Sequence, residues 1–256
     1  ELSFTNATIK QGHNNLGGVG PDYDSDEALE FENVGTYDGE TINILVTIVS
    51  EPGSYLNHWP NANEQEWIDN PRNKVNGHFG QINLKQDREA DIQFCFIGNS
   101  TREPIELETF SFTFHDFDQG LTEDRERLIV RGFYSYELSA NTELEEVVNG
   151  DGSVAFTSTE SGTGKDNAAD PDNLTEQQKN RAVTLNYWHK SCINITFSVP
   201  LRNAVPQYSI HNSFDNSPGN LGNGRNFLFS GGGGETYECT RPAIPPSAPP
   251  PPPSPP

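Results

Sequence analysis

Apolar and polar residues alternate along Phe110-Ser111-Phe112-Thr113-Phe114-His115, and the run ends in Asp116-Phe117-Asp118-Gln119-Gly120. A period of two is the mark of a strand with one buried face, which the three phenylalanines supply. The same phase carried forward puts Asp116 and Asp118 on the inward side at the strand's end. Comparable patterns predict strands over 28–33, 41–50, 79–84, 90–97, 105–117, 127–138, 154–159, 183–188, 192–199, 207–210 and 226–229. A weaker alternation predicts a terminal strand within 1–10, and 175–180 has room for one helical turn. Asp38-Gly39 between two strands is a turn signal. Short strands, turn residues between them and almost no amphipathic helix predict an all-β fold: an antiparallel two-sheet sandwich, jelly-roll-like.

Three segments depart from that pattern. Residues 51–77 form a long polar insertion containing Trp59 and Trp67, and loops of this length inside a compact domain are usually functional or disordered. Residues 12–21, with Gly17-Gly18, read as a flexible link. Beyond Cys239 the composition becomes almost entirely proline, serine and alanine. Proline has no amide hydrogen and fixes its own φ, so this tail is a polyproline II arm rather than a strand. Gly231–Gly234 reads as the hinge before it. The predicted organisation is therefore an N-terminal strand and link (1–21), a sandwich domain (22–230), and a hinge with its arm (231–256).

Charge narrows the partners. Thirty-seven Asp and Glu stand against 16 Lys and Arg, a formal net charge of -21. That sign disfavours nucleic acid and anionic membrane surfaces and admits multivalent cations. No apolar run approaches the roughly 20 residues that a spanning helix needs, so membrane insertion is not expected. The chain has no Met and opens at Glu1, which implies a processed start such as follows removal of a signal peptide. Sequons at Asn6, Asn99, Asn173 and Asn194 agree with secretion and predict N-linked glycans. Extracellular or cell-surface localisation follows.

The cysteines allow a phase argument. Ile92, Phe94 and Phe96 face inward and leave Cys95 facing out; Ile193, Ile195 and Phe197 do the same for Cys192. A surface bridge is expected, either Cys95–Cys192 or one involving Cys239 and the tail. Two carboxylates at an inward strand end repel each other unless a cation lies between them. Asp116 and Asp118, joined by Asp166, Asn167 and Asp170, offer hard oxygen ligands to calcium; the alternative is pairing with Arg125, Arg127 or Arg131. Asp22–Glu27 lacks the glycine and closing glutamate of an EF-hand. Ser161-Gly162-Thr163-Gly164-Lys165 lacks the spacing of a phosphate loop. No nucleophile elbow or histidine metal spacing is present, and an enzyme is not expected.

The stretch 112–118 resembles the strand-plus-Asp-x-Asp pattern of secreted β-sandwich domains in microbial surface proteins. The Ser-Pro-Pro tail is similar to hydroxyproline-rich glycoproteins of algal walls and flagellar hairs. That resemblance implies a microalgal surface or fibre glycoprotein with O-glycans on hydroxylated prolines. The combined expectation is a structural glycoprotein that assembles with copies of itself, head to tail, through both termini. The alternative is a carbohydrate-binding module, calcium-dependent or aromatic-based, with Trp59 and Trp67 at its surface.

Overall fold

The computed structural model describes residues 2–56, 71–120, 125–162, 164, 166–200 and 224–233. Trp59, Trp67, Cys239, the strand expected at 207–210 and the proline-rich arm lie outside the described residues. The strands are β1 (Thr8–Asn14), β2 (Ala28–Tyr37), β3 (Glu40–Ile48), β4 (Lys74–Asn76) and β5 (Phe79–Leu84). They continue with β6 (Glu89–Gly98), β7 (Leu107–His115), β8 (Arg127–Val130), β9 (Ser135–Leu138), β10 (Leu144–Val148) and β11 (Val154–Ser158). A short helix, α1 (Glu176–Asn180), precedes β12 (Val183–Lys190), β13 (Cys192–Ser198) and β14 (Arg225–Gly233). An eight-stranded sheet runs β1-β2-β3-β6-β13-β8-β11-β10, and a six-stranded sheet runs β4-β5-β14-β7-β12-β9. Every pairing within the two sheets is antiparallel. The expected sandwich is what forms, with the chain crossing repeatedly from one sheet to the other.

Period-two patterning explains the layers. Phe110, Phe112 and Phe114 of β7 are buried, as are Phe94 and Phe96 of β6 and Phe197 of β13. Phe229 of β14 touches rings from both sheets and from the N-terminus. Its centroid lies 5.2 Å from Phe4, 5.6 Å from Phe31, 5.3 Å from Phe94 and 5.4 Å from Phe112. Edge-to-face and offset pairs of this kind add to the roughly 1.5–3 kcal/mol that burying each such side chain contributes. Space for the ring comes from Gly80 on neighbouring β5, where a Cβ would stand 2.2 Å from a Phe229 ring carbon.

Several expectations are corrected. The 127–138 run is two strands in different sheets, β8 and β9, because Gly132 has φ 67° and turns the chain across the sandwich. Gly231–Gly233 is not a hinge. These residues pair with Phe112, Ser111 and Phe110 as the end of β14. Gly231 is glycine because Leu2 lies against it, with its Cβ 2.3 Å from where a Gly231 Cβ would sit. Nor is 12–21 a loose link: Asn14 and Asn15 are buried, and their amides donate to Asn73 O at 3.0 Å and Ser25 O at 2.9 Å.

The N-terminal strand is spoken for as well. β1 pairs with β2 of its own chain, Leu2 bridges to Gly35, and Phe4 is buried in the core. Donating this segment to a neighbour would strip Phe4 from Phe31, Phe112 and Phe229 and unpair β2, so a head-to-tail joint built on it would first have to break these contacts.

The disulfide is found where its phase placed it. Cys95 and Cys192 face each other across the β6–β13 ladder, bonded, with Cα atoms 4.1 Å apart.

The close approach of Gly80 to Phe229 gives a direct test. Gly80→Ala should destabilise the protein by about 1–3 kcal/mol in urea titration, the usual range for overpacking. Gly150→Ala, where a Cβ meets nothing within 4 Å, should change stability by less than about 0.5 kcal/mol. Equal effects at the two positions would contradict this packing.

Candidate functional site

Asp116 ends β7 with φ 64°, a left-handed conformation that aspartate tolerates better than most residues. The kink shifts the alternation, so Phe117 enters the core and the two aspartates do not lie beneath the phenylalanines. They turn instead toward the rim. There Asp116, Asp118 and Asp166 converge, with carboxylate oxygens within 4.8 Å of one another.

Two arginines brace this cluster. Arg225, the first residue of β14, contacts Asp118 and donates from Nε to Glu126 Oε1 at 3.1 Å. Arg181, buried behind α1, contacts Asp166 and donates from Nε to Glu143 Oε2 at 2.6 Å. Neither is among the arginines that proximity in sequence suggested. Arg131 pairs with Asp151 at 2.6 Å and Arg125 with Glu145 at 3.9 Å. Asp170 does not join the three aspartates: its Oδ1 accepts from the Asp172 N–H at 3.1 Å within a local turn. The Asn167 backbone carbonyl accepts from Gln178 Nε2 at 2.7 Å.

Asp116 is the carboxylate left over. Burial, reinforced by the charge of Asp166, pushes its pKa up to about 6, although Arg225 and Arg181 pull the other way. One of its oxygens is buried without a hydrogen-bond partner. A calcium ion entering here would gain Asp116 but would have to compete with a guanidinium already seated on each of the other two aspartates. Two fixed cations in contact with the ligands make a poor divalent site.

Sequence reasoning missed a second charged centre. Glu30 has no exposed side-chain surface yet sits on the outward side of β2. Arg102 grips both its oxygens, and Asn43 Nδ2 donates at 2.8 Å. Lys10 lies 3.3 Å away. Burial opposes the ionised form, but Arg102, Asn43 and Lys10 outweigh it and hold the pKa at about 2. Arg102 lies 72 positions away in sequence, so no local pattern announces the pair.

A different surface carries aromatic rings. Trp188 of β12 and Tyr134, just before β9, are each 56% exposed. Their centroids are 6.0 Å apart at 80°, and His189 lies 5.3 Å from Trp188. The main chain at Tyr134 is anchored to β12, its N–H donating to Asn186 O at 2.7 Å. Thr184, Asn186 and Trp188 share one face of β12, and Asn186 Nδ2 donates to Glu137 Oε1 at 2.9 Å. His189 Nδ1 is 3.0 Å from Glu106 Oε1. The result is an exposed aromatic pair bordered by amide, hydroxyl and carboxylate groups. Sequence alone marked Trp59 and Trp67 for this role; Trp188 reads there as an ordinary strand terminus, and only its unburied phase distinguishes it.

No protein-family model matches the chain, and no curated protein matches it. Among solved structures, the N-terminal domain of the Streptococcus gordonii adhesin Sgo0707 is similar, with TM-score 0.44 and 9% identity, over 80% of this chain and 47% of that one. The adhesin domain of PrgB from Enterococcus faecalis is similar with TM-score 0.39 and 11% identity, over 79% of this chain and 62% of that one. The chain thus spans about half the length of the first and under two thirds of the second. Likenesses this distant carry nothing further.

Asp116 sets the pH response of the rim. An acid whose pKa is raised on folding costs stability when ionised, so the penalty grows as pH rises from about 3.8 to about 6. At 1.36 kcal/mol per pH unit the full cost is about 3 kcal/mol. Asp116→Asn, which keeps a residue tolerant of positive φ, should stabilise the protein at pH 7.5 and leave it unchanged near pH 4. Destabilisation at both pH values would contradict the assignment. Chelator should leave the Tm of the unaltered protein unchanged, whereas Arg225→Gln should lower Tm and let millimolar calcium restore part of it. A Tm that falls on chelation would instead identify calcium as a resident of the rim.

Proposed function

We propose that this chain is an extracellular β-sandwich glycoprotein that binds neutral carbohydrate on the Trp188–Tyr134 surface. The observation that carries the reading is two neighbouring rings, each more than half exposed, on one side of the sandwich with polar side chains nearby. Water-exposed aromatic surface is costly to leave unused. The C–H face of a pyranose ring stacks on the electron-rich face of an indole, and its hydroxyls seek donors and acceptors such as Asn186 and Glu137. A net charge of -21 repels polyanions and leaves neutral sugars as the favoured class.

Extracellular placement has independent support. An outward-facing disulfide persists in an oxidising compartment. All four sequon asparagines, Asn6, Asn99, Asn173 and Asn194, are exposed. In this reading the chain is a binding module rather than an enzyme, and the proline-rich arm serves as a spacer that holds it away from a surface or a neighbouring subunit.

Tryptophan fluorescence titration with fragments of β-glucan, mannan and chitin tests the proposal. Trp188→Ala should weaken binding at least about tenfold, or 1.4 kcal/mol, while Trp59→Ala and Trp67→Ala bind as the unaltered protein does. Loss of binding in Trp59→Ala or Trp67→Ala alone would move the site to the 51–77 insertion. No binding by any of the proteins would refute the carbohydrate reading.

A further inference from the structure

β13 runs on where β8 stops. The β13–β8 register ends at Ile195↔Val130, and the chain then turns at Gly132 toward the other sheet. Cys192, Ile193 and Asn194 therefore have no ladder partner on that side among the described residues. The Cα separation of 4.1 Å at Cys95–Cys192 marks a non-hydrogen-bonded pair, so the N–H and C=O of Cys192 and Asn194 point away from β6 and into the gap. Ser191 O accepts from the Phe96 N–H at 2.8 Å, as that alternation requires.

The gap is part of a groove of about 330 Å³ whose lining includes Val49, Ile129, Arg131, Tyr187 and Asn194. Tyr187 reaches it from the opposite sheet. The residue is 3% exposed, its ring stacks on Phe110 at 5.2 Å, and its hydroxyl has no hydrogen-bond partner among the described residues. Unpaired backbone groups and two aliphatic side chains ask for an occupant that is polar on its rim and apolar on one face.

Such an occupant is tethered at the groove itself. Asn194 and Thr196, the polar members of a sequon, both line it. Asn194 Oδ1 accepts from Gln93 Nε2 at 3.0 Å, and Thr196 donates to Asp91. Asn194 Nδ2, the atom that glycosylation uses, has no hydrogen-bond partner among the described residues. We propose that this groove seats the chain's own glycan: the first N-acetylglucosamine on Asn194 lies against Ile129 and Val49 and bonds to the open edge of β13. The inference rests on the extracellular glycoprotein reading above. Tethering supplies an effective concentration of order millimolar, so little intrinsic affinity is needed. Arg131 is already paired with Asp151, and Asp91 with Thr196, so neither meets the sugar as a bare charge. Seated there, the sugar also covers the Cys95–Cys192 bond.

The test uses protein secreted from a eukaryotic host, with its glycans trimmed enzymatically to single N-acetylglucosamines. Peptide mapping should find Asn194 occupied, and the sugar's N-acetyl methyl should show nuclear Overhauser contacts to Ile129. Asn194→Gln should lower Tm by about 2–4 °C and speed reduction of the disulfide by dithiothreitol several-fold. A sugar on Asn194 with no Ile129 contact and unaltered reduction rate would overturn the inference, as would Asn194 unmodified while another sequon is occupied. A chain without sugar at any sequon would overturn the glycoprotein reading together with it.

Discussion

One inward row on β14 sets the terms for the rest of the molecule: Arg225, Phe227, Phe229 and Gly231, spaced two apart and facing between the sheets. Phe229 in the middle touches rings from β2, β6 and β7 and from the N-terminal segment. Close packing leaves no slack around such a ring, which is why β5 carries glycine opposite it. Phe227 stacks on Phe197 at 4.1 Å, joining the sheets a second time. At one end of the row Gly231 lets Leu2 close the sandwich; at the other Arg225 emerges among the rim carboxylates. Core packing and rim electrostatics are thus consequences of one strand's register, and slipping it by one residue would turn the whole row to the opposite face.

Charge is managed locally within an acidic chain. Arg102 lies on Glu30, and Arg225 and Arg181 lie among five carboxylates at the rim. Removing one partner of such a pair leaves a buried charge uncompensated, which costs more than the pair contributes. Asp116 is the exception that this arrangement tolerates, and its raised pKa reflects first its burial and then the neighbouring charge of Asp166. These centres hold the loops between β7, β8, β11 and β12 in place. Among the described residues, the exposed rings beside β12 and the open edge of β13 lie apart from these centres.

The sandwich was legible because alternation is local: Phe110–Phe114, Ile92–Phe96 and Ile193–Phe197 each declare their inward face within a few residues. The same phase placed Cys95 and Cys192 outward, and the ladder then set them opposite each other. What stayed hidden was non-local or conformational. Gly231 looked like a break because glycine commonly is one, although it continues the parity of Phe227 and Phe229 and marks a close approach. A single positive φ at Asp116 undid a phase that extrapolation carried too far. Arg225 and Arg181 partner the aspartates from distant strands, and proximity in sequence pointed to the wrong arginines. Trp188 became a candidate only once its ring was found outside the core, whereas Trp59 and Trp67 drew notice through loop composition.

The proposal to test is that neutral sugars meet this sandwich at Trp188 and Tyr134. The most direct measurement is a residue-resolved amide chemical-shift map of the labelled protein during titration with a bound oligosaccharide. The account predicts that the shifts concentrate at Tyr134, Asn186, Trp188 and His189 and leave the 51–77 insertion unchanged. Shifts confined to that insertion, or to any surface that spares Trp188, would contradict it.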